Sequence, residues 1–79
     1  MTDNEREIAI IRSIVTSITN RGFAPSQREI AAELGLASPG STNLYLKVME
    51  AKGLVTLTPG IPRATAVTAT GLKALTVEV

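Results

Sequence analysis

Apolar residues recur with a helical period along the first fifth of the chain. Ile8, Ile10, Ile11, Ile14, Val15 and Ile18 fill one arc of a helical wheel, and Arg12, Thr16 and Thr19 lie opposite. Thr2 and Glu5 stand at the spacing of a capping box, hydroxyl to backbone amide and carboxylate back to the cap. Asn20-Arg21-Gly22 supplies the stop, because glycine suits a left-handed cap. Phe23-Ala24-Pro25 is too short for a helix and predicts a strand of one or two residues. Ser26-Gln27-Arg28-Glu29 is a second capping box, and Pro25 blocks extension backwards. It opens a helix over 27–34 that buries Ile30, Ala31 and Leu34 and closes at Gly35.

Ser38-Pro39 opens a third helix, with Ser38 as N-cap and Pro39 where no N–H is needed. It spans 39–52 and ends on Gly53. Thr42, Tyr45, Leu46 and Met49 share one side; Gly40, Asn43, Leu44, Lys47 and Ala51 share the other. A leucine among those polar and small neighbours is the anomaly of the pattern. After Gly53 the period drops to two. Leu54–Thr58 and Ala64–Thr68 read as strands of a hairpin, with a turn at Pro59-Gly60 and with Pro62 and Arg63 in its loop. In the tail, Gly71 to Leu75 allows one helical turn. The expected fold class is mainly α with a small β-hairpin: a winged helix-turn-helix of three helices plus a wing, its tight turn at Gly35-Leu36-Ala37. The chain reads as one domain, 1–79, with its core in 2–68 and a tail over 69–79.

Composition narrows the function. A chain of 79 residues buries only about 60–65% of its unfolded surface, so either its core is efficient or it pairs with another chain. It is 44% hydrophobic and 19% charged, an ordinary globular balance. No apolar run reaches membrane length, the acidic start is unlike a secretory signal, and there is no cysteine. A cytoplasmic, nucleoid-associated protein is expected. Histidine is absent too, which removes Ser-His, Cys-His and zinc-histidine chemistry together. The acidic residues fall mostly at helix starts and surfaces. The expectation is no enzyme, no metal and no cofactor. Net charge is +1, but residues 1–37 carry −1 and residues 38–77 carry +3. The basic excess accompanies the odd leucine.

The chain resembles the N-terminal DNA-binding domain of the LexA repressors. The resemblance lies in Pro25, Ser26-x-x-Glu29, Glu29-Ile30-Ala31, Leu34-Gly35, Ser38-Pro39, Leu46-Lys47, Lys52-Gly53, and Gly60 with Arg63. The run from Glu29 to Pro39 is its most specific part. The resemblance implies duplex DNA as partner, with the third helix in the major groove and the wing on the backbone. Carried over by position, Ser38, Gly40, Ser41, Asn43 and Leu44 would read bases, and Gln27, Lys52 and Arg63 would touch the backbone. The family typically has polar or acidic side chains where this chain has Gly40, Asn43 and Leu44, so its operator does not transfer. The family's self-cleaving Ser-Lys domain would begin near the last residue here; a cut piece and a stand-alone phage or plasmid regulator both fit.

Elementary chemistry reaches the same face without the family. A helix reading the major groove needs a small residue for close approach, amides or hydroxyls for base edges, and an apolar contact for the thymine methyl. Gly40, then Asn43 and Ser41, then Leu44 supply these in turn. An Asn43–adenine bidentate contact would discriminate by about 1–3 kcal/mol. Lys47 is placed for a phosphate or a guanine. Arg28, a cation opposing its own helix dipole, suits a phosphate. Against this, single exposed leucines are common, Leu44 suits a protein interface equally, and Arg28 and Arg63 suit plain solvation. Tyr45 is expected in the core with its hydroxyl at the surface. Leu72, Lys73, Leu75, Val77 and Val79 either floor the core or form a dimer contact. Few basic contacts make a monomer a weak, salt-sensitive binder, so a homodimer on a palindromic operator is expected. The rivals are a winged-helix protein-interaction module and a MarR-like regulator. The latter is suggested by Val67-Thr68-x-x-Gly71-Leu72-Lys73-Ala74-Leu75, though it needs a longer dimer helix.

Overall fold

The computed structural model describes residues 2–58, 60–61 and 63–77. Its order is α1 (Asp3–Arg21), α2 (Gln27–Leu34), α3 (Pro39–Ala51), β1 (Val55–Thr56), β2 (Ala66–Val67) and α4 (Ala69–Val77). Pro59, Pro62 and Val79, expected in the wing turn, its loop and the tail, lie outside the described residues.

Local signals set both ends of the first two helices. Thr2 and Glu5 form the expected capping box on α1, and left-handed Gly22 closes it. Ser26 and Glu29 do the same for α2. Gly35, at φ +69°, then turns the chain so that Leu36 N donates to Ala31 O at 2.8 Å. A Cβ in that left-handed conformation costs about 1 kcal/mol; glycine at this position keeps the turn tight. Ser38 caps α3 by position only, for its side chain makes no cap bond. Ser41 N donates instead to the Ser38 carbonyl at 3.1 Å, which leaves the hydroxyl unused. At the far end α3 stops one residue early, at Ala51, with Lys52 as the cap and left-handed Gly53 behind it.

The core forms where α1, α2, α3 and β1 meet. Ile10, Ile11 and Ile14, then Ile30, Leu46, Met49 and Val55, are fully buried, and Ala24 joins them. Val15 and Leu34 pack at the margin of the core. Ile18, near the end of the apolar arc, is exposed. Thr42 is wholly buried too, and its hydroxyl has no partner among the described residues.

Three expectations change. Phe23-Ala24-Pro25 forms no strand, because side chains take its carbonyls: Ser17 Oγ donates to Phe23 O at 2.7 Å and Arg63 Nη1 to Ala24 O at 3.2 Å. The wing is shorter than its β pattern. Among the described residues only Val55↔Val67 and Thr56↔Ala66 pair, antiparallel. Thr58 precedes Pro59, and Pro62 stands two residues before Ala64, and proline cannot donate to a ladder. The tail holds a full fourth helix, not one turn. Thr68 caps it: Gly71 N donates to Thr68 Oγ1 at 3.0 Å, and Thr68 Oγ1 lies 2.6 Å from Gly53 O. Gly71 is buried against the hairpin, and a Cβ there would sit 2.2 Å from Leu54 O and 2.8 Å from Val67 Cγ1. Only glycine allows that approach. Ala74 and Leu75 then pack on the core while Leu72 stays exposed.

Candidate nucleic-acid interface

α2 and α3 pack as a helix pair across the Gly35 turn, with α3 showing one face outward. Thr42, Leu46 and Met49 anchor the inner face. The wheel therefore resolves as expected: Gly40, Leu44, Lys47 and Ala51 are exposed, and Asn43 is half-buried. Leu44 is 67% exposed. The first turn of α3 carries no acid, so the positive end of its dipole is unopposed there.

That face has two edges. Toward the wing, Gln27, Asn43, Lys47, Ile61 and Arg63 line a groove of about 820 Å³. Within it Gln27 Nε2 donates to Asn43 Oδ1 at 3.2 Å, tying the first residue of α2 to the middle of α3. Toward the start of α1, Leu36, Ala37, Ser41, Leu44, Tyr45 and Val48 line a hollow of about 520 Å³. Tyr45 is held there from α1: its hydroxyl accepts from Arg6 Nη1 at 2.9 Å and donates to Asp3 Oδ1 at 3.0 Å. The ring packs on the core, as its sequence position suggested.

The candidate cations divide into two kinds. Arg28 and Lys47 are exposed and make no hydrogen bond or ion pair among the described residues. Lys52 and Arg63 are already engaged. Lys52 Nζ lies 2.9 Å from both carboxylate oxygens of Glu7, a side chain only 5% exposed. Arg63 Nη1 lies 2.6 Å from Glu29 Oε1, and its guanidinium stacks 4.9 Å from the Phe23 ring centre. Arg21 makes the matching pair, 3.2 Å from Glu29 Oε2 and 4.8 Å from the same ring. Arg63 and Arg21, with the Ser26 amide, hold the Glu29 carboxyl far below the usual carboxylate range. Arg63 has φ +60°, a left-handed conformation unusual outside glycine. Its contacts fix the wing to the start of α2. Geometry thus gives Lys52 and Arg63 bracing roles, whatever else they touch.

The structure accordingly gathers Gln27, Asn43, Lys47 and Arg63 about one groove and Ser41 and Leu44 about the other hollow. Ser38 and Gly40 stand at the exposed start of α3, Arg28 on the second residue of α2, and Lys52 turns back to α1. Sequence reasoning passed over two exposed apolar residues. Val48, 48% exposed, lies four residues after Leu44 and extends its edge, a spacing that was available to be seen. Ile61, 59% exposed in the wing, had no periodic signal to mark it.

The chain is similar to known repressors and to a transcriptional regulator. The model of the LexA DNA binding domain family matches residues 2–64. The LexA repressor of Lactobacillus delbrueckii subsp. bulgaricus is 35% identical over 77 residues, 98% of this chain and 37% of its own. That of Cupriavidus metallidurans is 43% identical over 58 residues, 73% of this chain and 27% of its own. This chain spans roughly a third of the length of such relatives. Among solved structures, the transcriptional regulator MosR of M. tuberculosis superposes over all of this chain and 53% of its own, at 25% identity and a TM-score of 0.67. A four-helix chain with a two-strand wing and an outward-facing α3, matched over residues 2–64, belongs to the LexA DNA-binding domain family.

Proposed function

We propose that this chain is the DNA-reading part of a transcriptional repressor and has no catalytic role of its own. It would bind double-stranded DNA with α3 in the major groove, as a homodimer on a palindromic operator in the nucleoid. The observation that carries this is the exposed face of α3, where the Gln27–Asn43 amides and Lys47, unpaired among the described residues, line a groove beside a braced wing and Leu44 stands exposed at the other edge. Phosphate contacts from Arg28 and Lys47 would position the domain, and α3 would discriminate bases. With Lys52 and Arg63 already paired, a monomer has few free cations, which favours two copies sharing one site. No helix among the described residues is long and apolar enough to cross a membrane, which suits this setting.

One observation favours a second reading. Leu44 and Val48 rim a hollow of about 520 Å³ that an apolar protein side chain would fill, as in a protein-interaction module. Selection from randomised duplex DNA, retested by fluorescence anisotropy at low and moderate salt, separates the two. A recovered palindrome that keeps its advantage over scrambled DNA as salt rises supports the repressor. No enrichment, with weak binding that vanishes in salt, supports protein docking.

A further inference from the structure

The outward chemistry of α3 is selective in what it lacks as well as in what it offers. A primary amide has one acceptor oxygen and one nitrogen with two protons. Once Gln27 Nε2 donates to Asn43 Oδ1, Gln27 Oε1 and Asn43 Nδ2 are the acceptor and donor atoms of the pair that have no partner among the described residues, beside the second Nε2 proton and the second Oδ1 lone pair. Adenine presents the complement in the major groove, an N6 amino donor beside the N7 acceptor. On the other edge, Leu44 and Val48 sit one turn apart, both exposed. The apolar feature of the major groove is the thymine C5-methyl. Between Ser38 and Met49 there is no acid to accept from cytosine N4 and no arginine to fork onto guanine, and the one cation, Lys47, is assigned to phosphate. Lys47, exposed on this face and without a hydrogen bond or ion pair among the described residues, complements a polyanion, which suits duplex DNA.

Resting on the DNA-binding reading above, we infer that α3 reads A·T base pairs: the Gln27–Asn43 pair takes adenine N6 and N7, and the Leu44–Val48 edge takes the thymine methyl. Gln27 is then a positioning residue for Asn43 as well as an acceptor. Its bond sets the Asn43 amide with nitrogen free for N7. The inference also places Val48 in specificity, one helical turn after Leu44 on the same exposed edge.

The test uses the 79-residue chain and base analogues, which leave the protein unaltered. In the selected operator each thymine is replaced singly by uracil, and each adenine by 7-deazaadenine, with affinity read by anisotropy at fixed salt. Uracil at a read position should weaken binding about fourfold, the worth of one buried methyl. Loss of N7 should weaken it about five- to tenfold, the worth of one hydrogen bond. The uracil penalty should vanish in Leu44→Ala/Val48→Ala. The N7 penalty should vanish in Asn43→Ala and also in Gln27→Glu, where a carboxylate draws the Asn43 nitrogen to itself. Penalties that persist unchanged in these variants, or analogues that bind as well as the parent bases, would overturn the assignment while leaving sequence-specific binding intact. A selection that recovers no preferred sequence would remove the DNA-binding reading and this inference with it.

Discussion

At the scale of single residues, the informative ones are those whose polar groups are paired or left over. Thr42 places a hydroxyl in the core with no partner among the described residues. Valine keeps the branched shape and removes the orphan. Thr42→Val should therefore stabilise the domain by about 1 kcal/mol, read as a higher urea midpoint at unchanged slope; a loss would mean that the hydroxyl is bonded after all. Lys47 and Lys52 look alike in the sequence, five residues apart, yet differ in what they touch. Lys52→Ala leaves the buried Glu7 carboxylate unpaired and should lose about 1–2 kcal/mol of stability. Lys47→Ala should leave stability alone. If Lys47 meets a phosphate, its loss should weaken DNA binding evenly across sequences and flatten the salt slope by about one unit. Preference lost at a single base pair would instead assign Lys47 to a base.

At the scale of elements, caps and glycines decide where each helix begins and how close it comes to its neighbour. The two capping boxes, Thr2–Glu5 and Ser26–Glu29, are local and could be read directly from the sequence. The docking of α4 is not local. It depends on Thr68 reaching back to Gly53 and on Gly71 lying against Leu54 and Val67. Gly71→Ala should cost about 2 kcal/mol by overpacking against backbone that cannot yield, seen as a lower thermal midpoint. Ala69→Ser, at an exposed position in the same helix, should change little and serves as the control. A Gly71→Ala protein as stable as the parent would show that α4 does not hold this position in solution.

At the scale of the whole molecule, Glu29 joins three parts of the chain. It caps α2, pairs with Arg21 at the end of α1, and pairs with Arg63 from the wing. Its carboxyl is held far below the value of 4.5 that it has when free. As pH falls below about 4.5 the unfolded chain therefore takes up a proton that the folded chain still refuses, and stability drops. This contribution is complete above that pH and is lost progressively on the acid side. Glu29→Gln should be less stable than the parent at pH 7, with the difference shrinking toward pH 3, as thermal midpoints across that range would record. A difference that stays constant with pH would mean that the charge of Glu29 contributes nothing. Because Glu29 anchors Arg63, the same variant should also loosen the wing, measurable as faster amide exchange at Thr65 to Val67.

The sequence by itself determined the three helices, the capping boxes and glycine caps of the first two, and the turn at Gly35, because each rests on contacts within about four residues. It also marked Leu44 as exposed, since period alone separates Leu44 from Leu46. What only the tertiary structure decided involves partners distant in the chain. Lys52 meets Glu7 and Arg63 meets Glu29, so two cations that the family resemblance places on the DNA backbone also brace the fold. Gln27 meets Asn43 across sixteen residues, which converts two separate amides into one donor–acceptor pair. The fourth helix was hidden because its favourable position depends on a hairpin surface that only a glycine can approach. Hydrophobic period and capping act along the chain and are written in it; charge pairing and close backbone approach act across the chain, and folding assigns them.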